Sequence, residues 1–202
     1  MQAAQRLFAE RGIDAVSVNE ITIAAGQKNR NALQYHFGNR NGLLQAIIDH
    51  HIARVSEYRG PVLESLDEAA TPAHNAARAL VAPIIEYVQS DADALDYVKL
   101  ISQIAAASLP ETNPGATSAL SFGFDERLCD AMVAAIAHLS PEEAQRRLFL
   151  VITLTFRGVG DICKAVESRP EEEMRAARDG LLAELLLSVE SILAAPGSGA
   201  EG

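Results

Sequence analysis

Tryptophan is missing from this 202-residue chain, and the other aromatics amount to four tyrosines and six phenylalanines. Cysteine is scarce too. Cys129 and Cys163 stand far apart with no CxxC pair and no secretory leader, which excludes a disulfide framework and predicts two reduced, core-type thiols. No apolar run approaches the roughly 20 residues needed to span a bilayer, and the first residues have no targeting character. A soluble, cytoplasmic protein with no membrane contact is expected. Strand patterns are also lacking. The closest, "LFLVITLTF" at 148–156, lies between "SPEEAQRR" and "RGVGDICKAVES" and reads as the buried middle of a long helix. With 49% hydrophobic residues the chain has material for a sizeable core. Its richness in Ala, Leu, Glu and Arg makes the expected fold all-α.

Catalytic signatures are missing as well. There is no Glu-x-x-His, which removes a di-metal carboxylate bundle. His50 and His51 are adjacent and point to different sides of a helix, so they cannot share a metal. "GVGD" at 158–161 has no preceding strand and is no phosphate loop. No nucleophile–base pattern is visible. The expectation is a protein that is not an enzyme, with no catalytic residues, no metal and no cofactor.

The net charge of −10 argues against nucleic acid, but it is unevenly spread. Residues 1–59 hold seven Lys/Arg against five Asp/Glu, or +2, and the remainder holds 10 against 22, or −12. Between Glu20 and Asp49 there is no acidic residue, while Lys28, Arg30 and Arg40 fall in that window. Such a stretch suits a phosphate-facing surface.

Local patterns divide the chain. Residues 2–11 predict a helix with Ala4, Leu7 and Phe8 on one face, stopped at Gly12. "SVNE" from Ser17 to Glu20 is a capping box that opens a second helix, with Val18, Ile21 and Ala25 as its buried stripe and Gly26 at its end. A third helix is expected over 28–36. Asn39 caps a fourth, 40–57, whose apolar residues repeat at three and four. "YRGPV" at 58–62 then breaks the pattern. The expected division is 1–57 as a helix-turn-helix domain, 58–195 as a helical ligand-binding and dimerisation domain, and 196–202 as a disordered tail. In the second domain helices are expected at about 72–90 with a kink at Pro83, from an Asp91 cap to about 108, 117–139, 141–168 and 171–194, with a Pro/Gly-rich loop at 109–118.

A helix, a glycine turn and a helix within about twenty residues is the arrangement that holds a second helix out for the DNA major groove. If Leu33 and Phe37 face inward, Lys28, Asn31 and Tyr35 lie opposite, with Gln27 and Gln34 beside them. His36 and Arg30 fall toward the buried flank. Asn and Gln suit adenine edges and Lys suits guanine edges.

The segments "AAQRLFAERGIDAVSVNEI", "AAG" and "ALQYHFGNRNGLL" resemble the TetR (tetracycline-repressor-like) family of bacterial transcription regulators, over about residues 2–50. The resemblance implies that Ser17, Tyr35, His36 and Arg40 contact phosphates. It further implies that Lys28, Asn31 and Gln34 face bases, with Asn29 and Arg30 close by and Gln27 at the edge. Two departures stand out. One extra residue lies between Gly26 and Phe37, and the usual basic arm before the first helix is not in the sequence. The chain is either trimmed there or lacks minor-groove contacts. The resemblance also implies a homodimer on a palindromic double-stranded operator, and a small-molecule effector that releases it by shifting the reading heads through helix 40–57. Repression is the family habit. Pocket candidates are the polar and aromatic residues that interrupt apolar helix faces: Tyr87, Tyr97, Gln103, Phe122, Phe124, Arg127, Thr153, Phe156, Arg157 and Asp161. Arg157 and Asp161, four apart, would equally pair along a helix. The tract "GLLAELLLSVESIL" is more apolar than one buried face requires, which makes Leu182, Leu185, Leu186, Val189 and Leu193 candidates for the dimer interface. A rival reading is a protein-interaction adaptor that keeps the helix-turn-helix for packing alone.

Overall fold

Short polar side chains set the starts of several helices. The computed structural model describes residues 1–29, 31–107, 125–166 and 170–197. Among these residues there are nine α-helices and no strand. They are α1 (Gln2–Arg11), α2 (Val18–Ala24), α3 (Ala32–Phe37), α4 (Arg40–Glu64), α5 (Pro72–Ser90), α6 (Ala94–Ala107), α7 (Glu126–Ile136), α8 (Pro141–Val166) and α9 (Glu171–Ala194). The all-α expectation holds, and "LFLVITLTF" lies inside α8.

Asn39 caps α4 by accepting from Gly42 N at 2.9 Å, and Thr71 Oγ1 caps α5 by accepting from His74 N at 3.2 Å. Ser140 and Glu143 form a capping box at α8, with the serine hydroxyl 2.8 Å from the carboxylate. Asp91 caps only the turn ahead of α6. Its carboxylate accepts from Asp93 N at 2.9 Å, and the helix itself begins at Ala94.

Other expectations need correction. "YRGPV" does not end α4, which continues through Gly60 and Pro61 to Glu64. Packing overrides the local helix-breaking preference. Val62 and Leu63 are buried, and the buried Arg59 donates from Nε to the Ala79 carbonyl at 3.2 Å. Cys129 is exposed rather than in the core, and Cys163 is half-buried. The expected loop 109–118 and the first part of the helix expected from 117 lie outside the described residues.

The chain forms two compact units, residues 1–54 with 91–123 and residues 55–90 with 124–202. In the first, α1 packs on α2 and α6 and the core is built on Phe8, Val16, Leu43, Ile47 and Ile48. In the second, α5 packs against α7, α8 and α9, and its Val81, Ile84 and Tyr87 are fully buried. Where α8 meets α9, Gly158 lies flat against Leu185. A Cβ there would come within 2.9 Å of the leucine side chain, so the glycine of "GVGD" serves helix packing. Among the described residues no helix is long and apolar enough to cross a membrane.

Candidate nucleic-acid interface

The capping box at α2 forms as the sequence predicts. Ser17 Oγ accepts from Glu20 N at 3.2 Å, and the Glu20 carboxylate accepts from Ser17 N at 2.8 Å. Ser17 also donates its hydroxyl proton to that carboxylate at 2.7 Å, and Arg11 pairs with it at 2.8 Å. Hydrogen bonds from the Ser17 backbone and side chain, then Arg11, hold the Glu20 carboxyl down to about 2. Ser17 is exposed, but its hydroxyl proton is committed to the cap.

Gly26 ends α2 in the left-handed conformation, at φ +67°. Gln27 N bonds to the Thr22 carbonyl at 3.0 Å and Gly26 N to the Ile23 carbonyl at 2.9 Å, the paired bonds of a Schellman turn. This turn fixes where the chain leaves α2 toward α3. Gly26→Ala is expected to cost about 1–2 kcal/mol, the penalty of a Cβ in that conformation. Urea denaturation of the variant checks it, and an unchanged midpoint would mean that the turn tolerates a side chain.

The third helix is shorter than expected. It begins at Ala32, so Lys28 and Asn29 precede it instead of standing on its outer face. The Asn29 side chain explains this: its Oδ1 accepts from Asn31 N at 2.9 Å, a local bond that competes with the helical one. Asn31 occupies the N-cap position without spending its side chain on a cap bond. Along α3, Leu33 is buried and Phe37 half-buried, while Gln34, Tyr35 and His36 are exposed. His36 therefore stands further out than the wheel predicts, with its ring 5.2 Å from that of Tyr35 in a T-shaped pair. Tyr35 is 85% exposed. Gln27, Lys28 and Asn29 are exposed as well, and Arg30 lies outside the described residues.

Arg40 is placed differently from the rest. Its guanidinium lies 5.3 Å over the Phe8 ring, and Nε and Nη2 are buried without a hydrogen-bond partner. It braces α4 on α1. From the other side α6 holds α1 at both ends. Gln103 donates to the Phe8 carbonyl and accepts from Ile13 N, both at 3.0 Å, where Gly12 turns at φ +93°. Gln5 donates to the Asp93 carbonyl at 2.7 Å and bonds to Nε2 of the buried His51 at 2.7 Å. The His51 ring is stacked on Tyr97 at 4.5 Å. Tyr97 and Gln103, singled out as pocket candidates, thus sit in the first unit as supports of the helix-turn-helix.

The remaining pocket candidates belong to the second unit. Tyr87 is fully buried with the Tyr58 ring 5.8 Å away, and Arg127 donates to the Leu63 carbonyl at 2.9 Å. Phe156 is buried, and Thr153 is half-buried with its hydroxyl unpartnered. Arg157 and Asp161 pair with each other at 2.7 Å on the exposed side of α8. Phe122 and Phe124 lie outside the described residues. The second unit also contains a cavity of about 200 Å³ that none of these residues lines. Its wall is Leu128, Cys129, Met132, Val133 and Ile136 of α7 with Leu80 of α5 and Leu148 and Ile152 of α8. The signal for it was an apolar face on α7 two residues wide, Leu128–Met132–Ile136 beside Cys129–Val133. On α9, Leu182, Leu185, Val189 and Leu193 turn into their own unit, Leu186 is half-buried, and Leu181 and Leu187 are exposed, as is Leu150 on α8.

Residues 1–47 match the family model of bacterial regulatory proteins, tetR family. A crystal structure of a proposed TetR-family transcriptional regulator from Rhodococcus sp. is similar over 94% of this chain and 96% of that one, with a TM-score of 0.53 and 22% identity. The TetR-family regulator PfmR from Thermus thermophilus aligns over 95% of each chain at 20% identity with a TM-score of 0.40. Comparison with curated proteins finds no match. The Rhodococcus similarity is one of fold, and the motif-bearing segment is matched by the family itself. Residues 1–47 are thus similar to the tetR family of bacterial regulatory proteins, and the chain as a whole shares its fold with the Rhodococcus structure.

Proposed function

We propose that the protein is a ligand-responsive, DNA-binding transcriptional repressor that grips a palindromic operator as a homodimer and lets go when a small effector binds. The observation that carries the DNA reading is the run 27–36. Its described side chains outside Ala32 and the buried Leu33 are exposed amides, a lysine, a tyrosine and a histidine, in a 28-residue window without an acid. An isolated surface helix has no need to hold a tyrosine 85% in water. A groove floor or a phosphate gives its ring and hydroxyl a partner. Lys28, Asn31, Gln34 and Tyr35 are assigned to base edges and phosphates. His36 and Asn29 are secondary contacts, and Ser17 approaches a phosphate only by sharing its oxygen with the cap. The adaptor alternative leaves the missing acids unexplained.

The dimer rests on Leu150, Leu181 and Leu187, large apolar side chains that α8 and α9 leave in water. The effector acts by population shift, binding more tightly to the conformer that misfits the operator. A preference of a few kcal/mol suffices.

A gel shift on the gene's own upstream DNA at two salt concentrations tests the reading. A discrete, salt-weakened complex on a palindromic fragment supports it, and a folded protein that gives no specific complex turns the assignment toward the adaptor. Tyr35→Ala is expected to weaken operator binding by about 1–3 kcal/mol, roughly 5- to 150-fold. Wild-type affinity in the folded variant would show that α3 is oriented otherwise.

A further inference from the structure

Among the described residues of the second unit, α5, α7 and α8 enclose an apolar cavity. Protein interiors leave few voids larger than a water molecule, yet the α5–α7–α8 cavity holds about 200 Å³. An apolar cavity of about 150 Å³ stays dry and takes up benzene, so this one has room for two fused rings. Its chemistry is narrower than its size. All eight lining residues are aliphatic or sulfur-bearing, and none offers a nitrogen or oxygen from its side chain. A carboxylate or ammonium entering here would leave water and find no partner. The sulfurs of Met132 and Cys129 favour contact with an aromatic ring edge. The floor is buried at Leu128 and Met132, while Cys129 and Val133 are exposed and mark the way in.

A protein partner does not fit this site. A stable interface takes roughly 20–30 residues a side, against eight here. The apolar stripe of α7 runs only from Leu128 to Ile136, where the helix ends.

We propose that the cavity walled by Met132, Cys129 and Val133 is the effector site, and that its ligand is an uncharged, largely apolar aromatic molecule of about two fused rings. This rests on the ligand-responsive reading above and supplies the effector's chemical class.

Naphthalene and naphthalene-2-sulfonate are the probes, titrated into the full chain without DNA. The absence of tryptophan leaves naphthalene fluorescence readable. Saturable one-to-one binding of naphthalene, at least about 30-fold tighter than the sulfonate, is expected. In a Cys163→Ser background, saturating naphthalene should slow the reaction of Cys129 with a maleimide. Val133→Glu, at an exposed rim position that leaves the core intact, should weaken naphthalene by at least about tenfold while circular dichroism stays unchanged. No saturable binding, equal binding of the sulfonate, or indifference to Val133→Glu overturns the assignment. The gel shift is read separately. A chain that takes naphthalene with this selectivity but never binds its operator keeps the cavity's ligand class and loses the DNA-binding reading.

Discussion

Phe8→Ala is expected to destabilise the first unit by about 3–5 kcal/mol, the cost of deleting a buried aromatic side chain. The ring is 0% exposed and sits where several supports converge. Its face carries the Arg40 guanidinium at 5.3 Å, a contact worth about 0.5–2 kcal/mol that the substitution also removes. Its own carbonyl is held by Gly12 N and by Gln103 Nε2, both at 3.0 Å, so the backbone around the lost ring cannot easily collapse into the hole. Domains of this size are stable by only about 5–15 kcal/mol in total. The loss therefore reaches function: operator affinity should fall with the folded fraction of the helix-turn-helix, although Phe8 touches no DNA in the proposed mode. Urea denaturation followed by circular dichroism reads the effect. A shift below about 1 kcal/mol would contradict the close packing around Phe8.

The parts of this architecture that were legible in the sequence are those fixed by a single local interaction. Ser17 with Glu20, Ser140 with Glu143, Asn39 and Thr71 each announce a helix start, because a short side chain satisfies a backbone N–H that nothing else can reach. Local rules fail where two interactions compete. The Asn29–Asn31 bond delays α3 to Ala32, and the burial of Val62 and Leu63 carries α4 through a proline. A similar limit governs the site. The acid-free, amide-rich run could be read directly, since exposure on a short helix follows from its two apolar residues. The cavity could not. Polar interruptions of apolar faces were the signal sought, and those residues went to other tasks: Gln103 and Tyr97 to holding α1 and α4, Arg127 to the end of α4, and Arg157 and Asp161 to each other. A site made only of Leu, Ile, Val, Met and Cys has the same composition as a core, and only packing distinguishes them.

The support under α1 should also be sensitive to acid, through His51. The ring is 1% exposed, stacked on Tyr97 and bonded through Nε2 to Gln5, whose amide nitrogen is already given to the Asp93 carbonyl. The Gln5 oxygen must therefore accept, which makes Nε2 the protonated nitrogen of a neutral imidazole. Burial first, and the neighbouring His50 second, push the His51 pKa down to about 4, against the weaker opposing pull of Asp91 and Asp93. A lowered histidine pKa means that the unfolded chain binds the proton more tightly. The stabilisation is then complete above the ordinary value of 6.5 and is lost as pH falls toward 4. About 2 kcal/mol should disappear between about pH 7.5 and 5, and about 3 kcal/mol by about pH 4. The comparison with a variant lacking the imidazole isolates the histidine, because other groups, Asp96 with its carboxyl pKa raised by burial among them, titrate alike in both proteins. His51→Phe keeps a ring against Tyr97 and has no proton to gain. Its urea midpoint should therefore lack the fall that the histidine gives the wild type between about pH 7.5 and 5. Parallel curves for the two proteins would place the acid sensitivity elsewhere and remove His51 from the support of the DNA-binding unit.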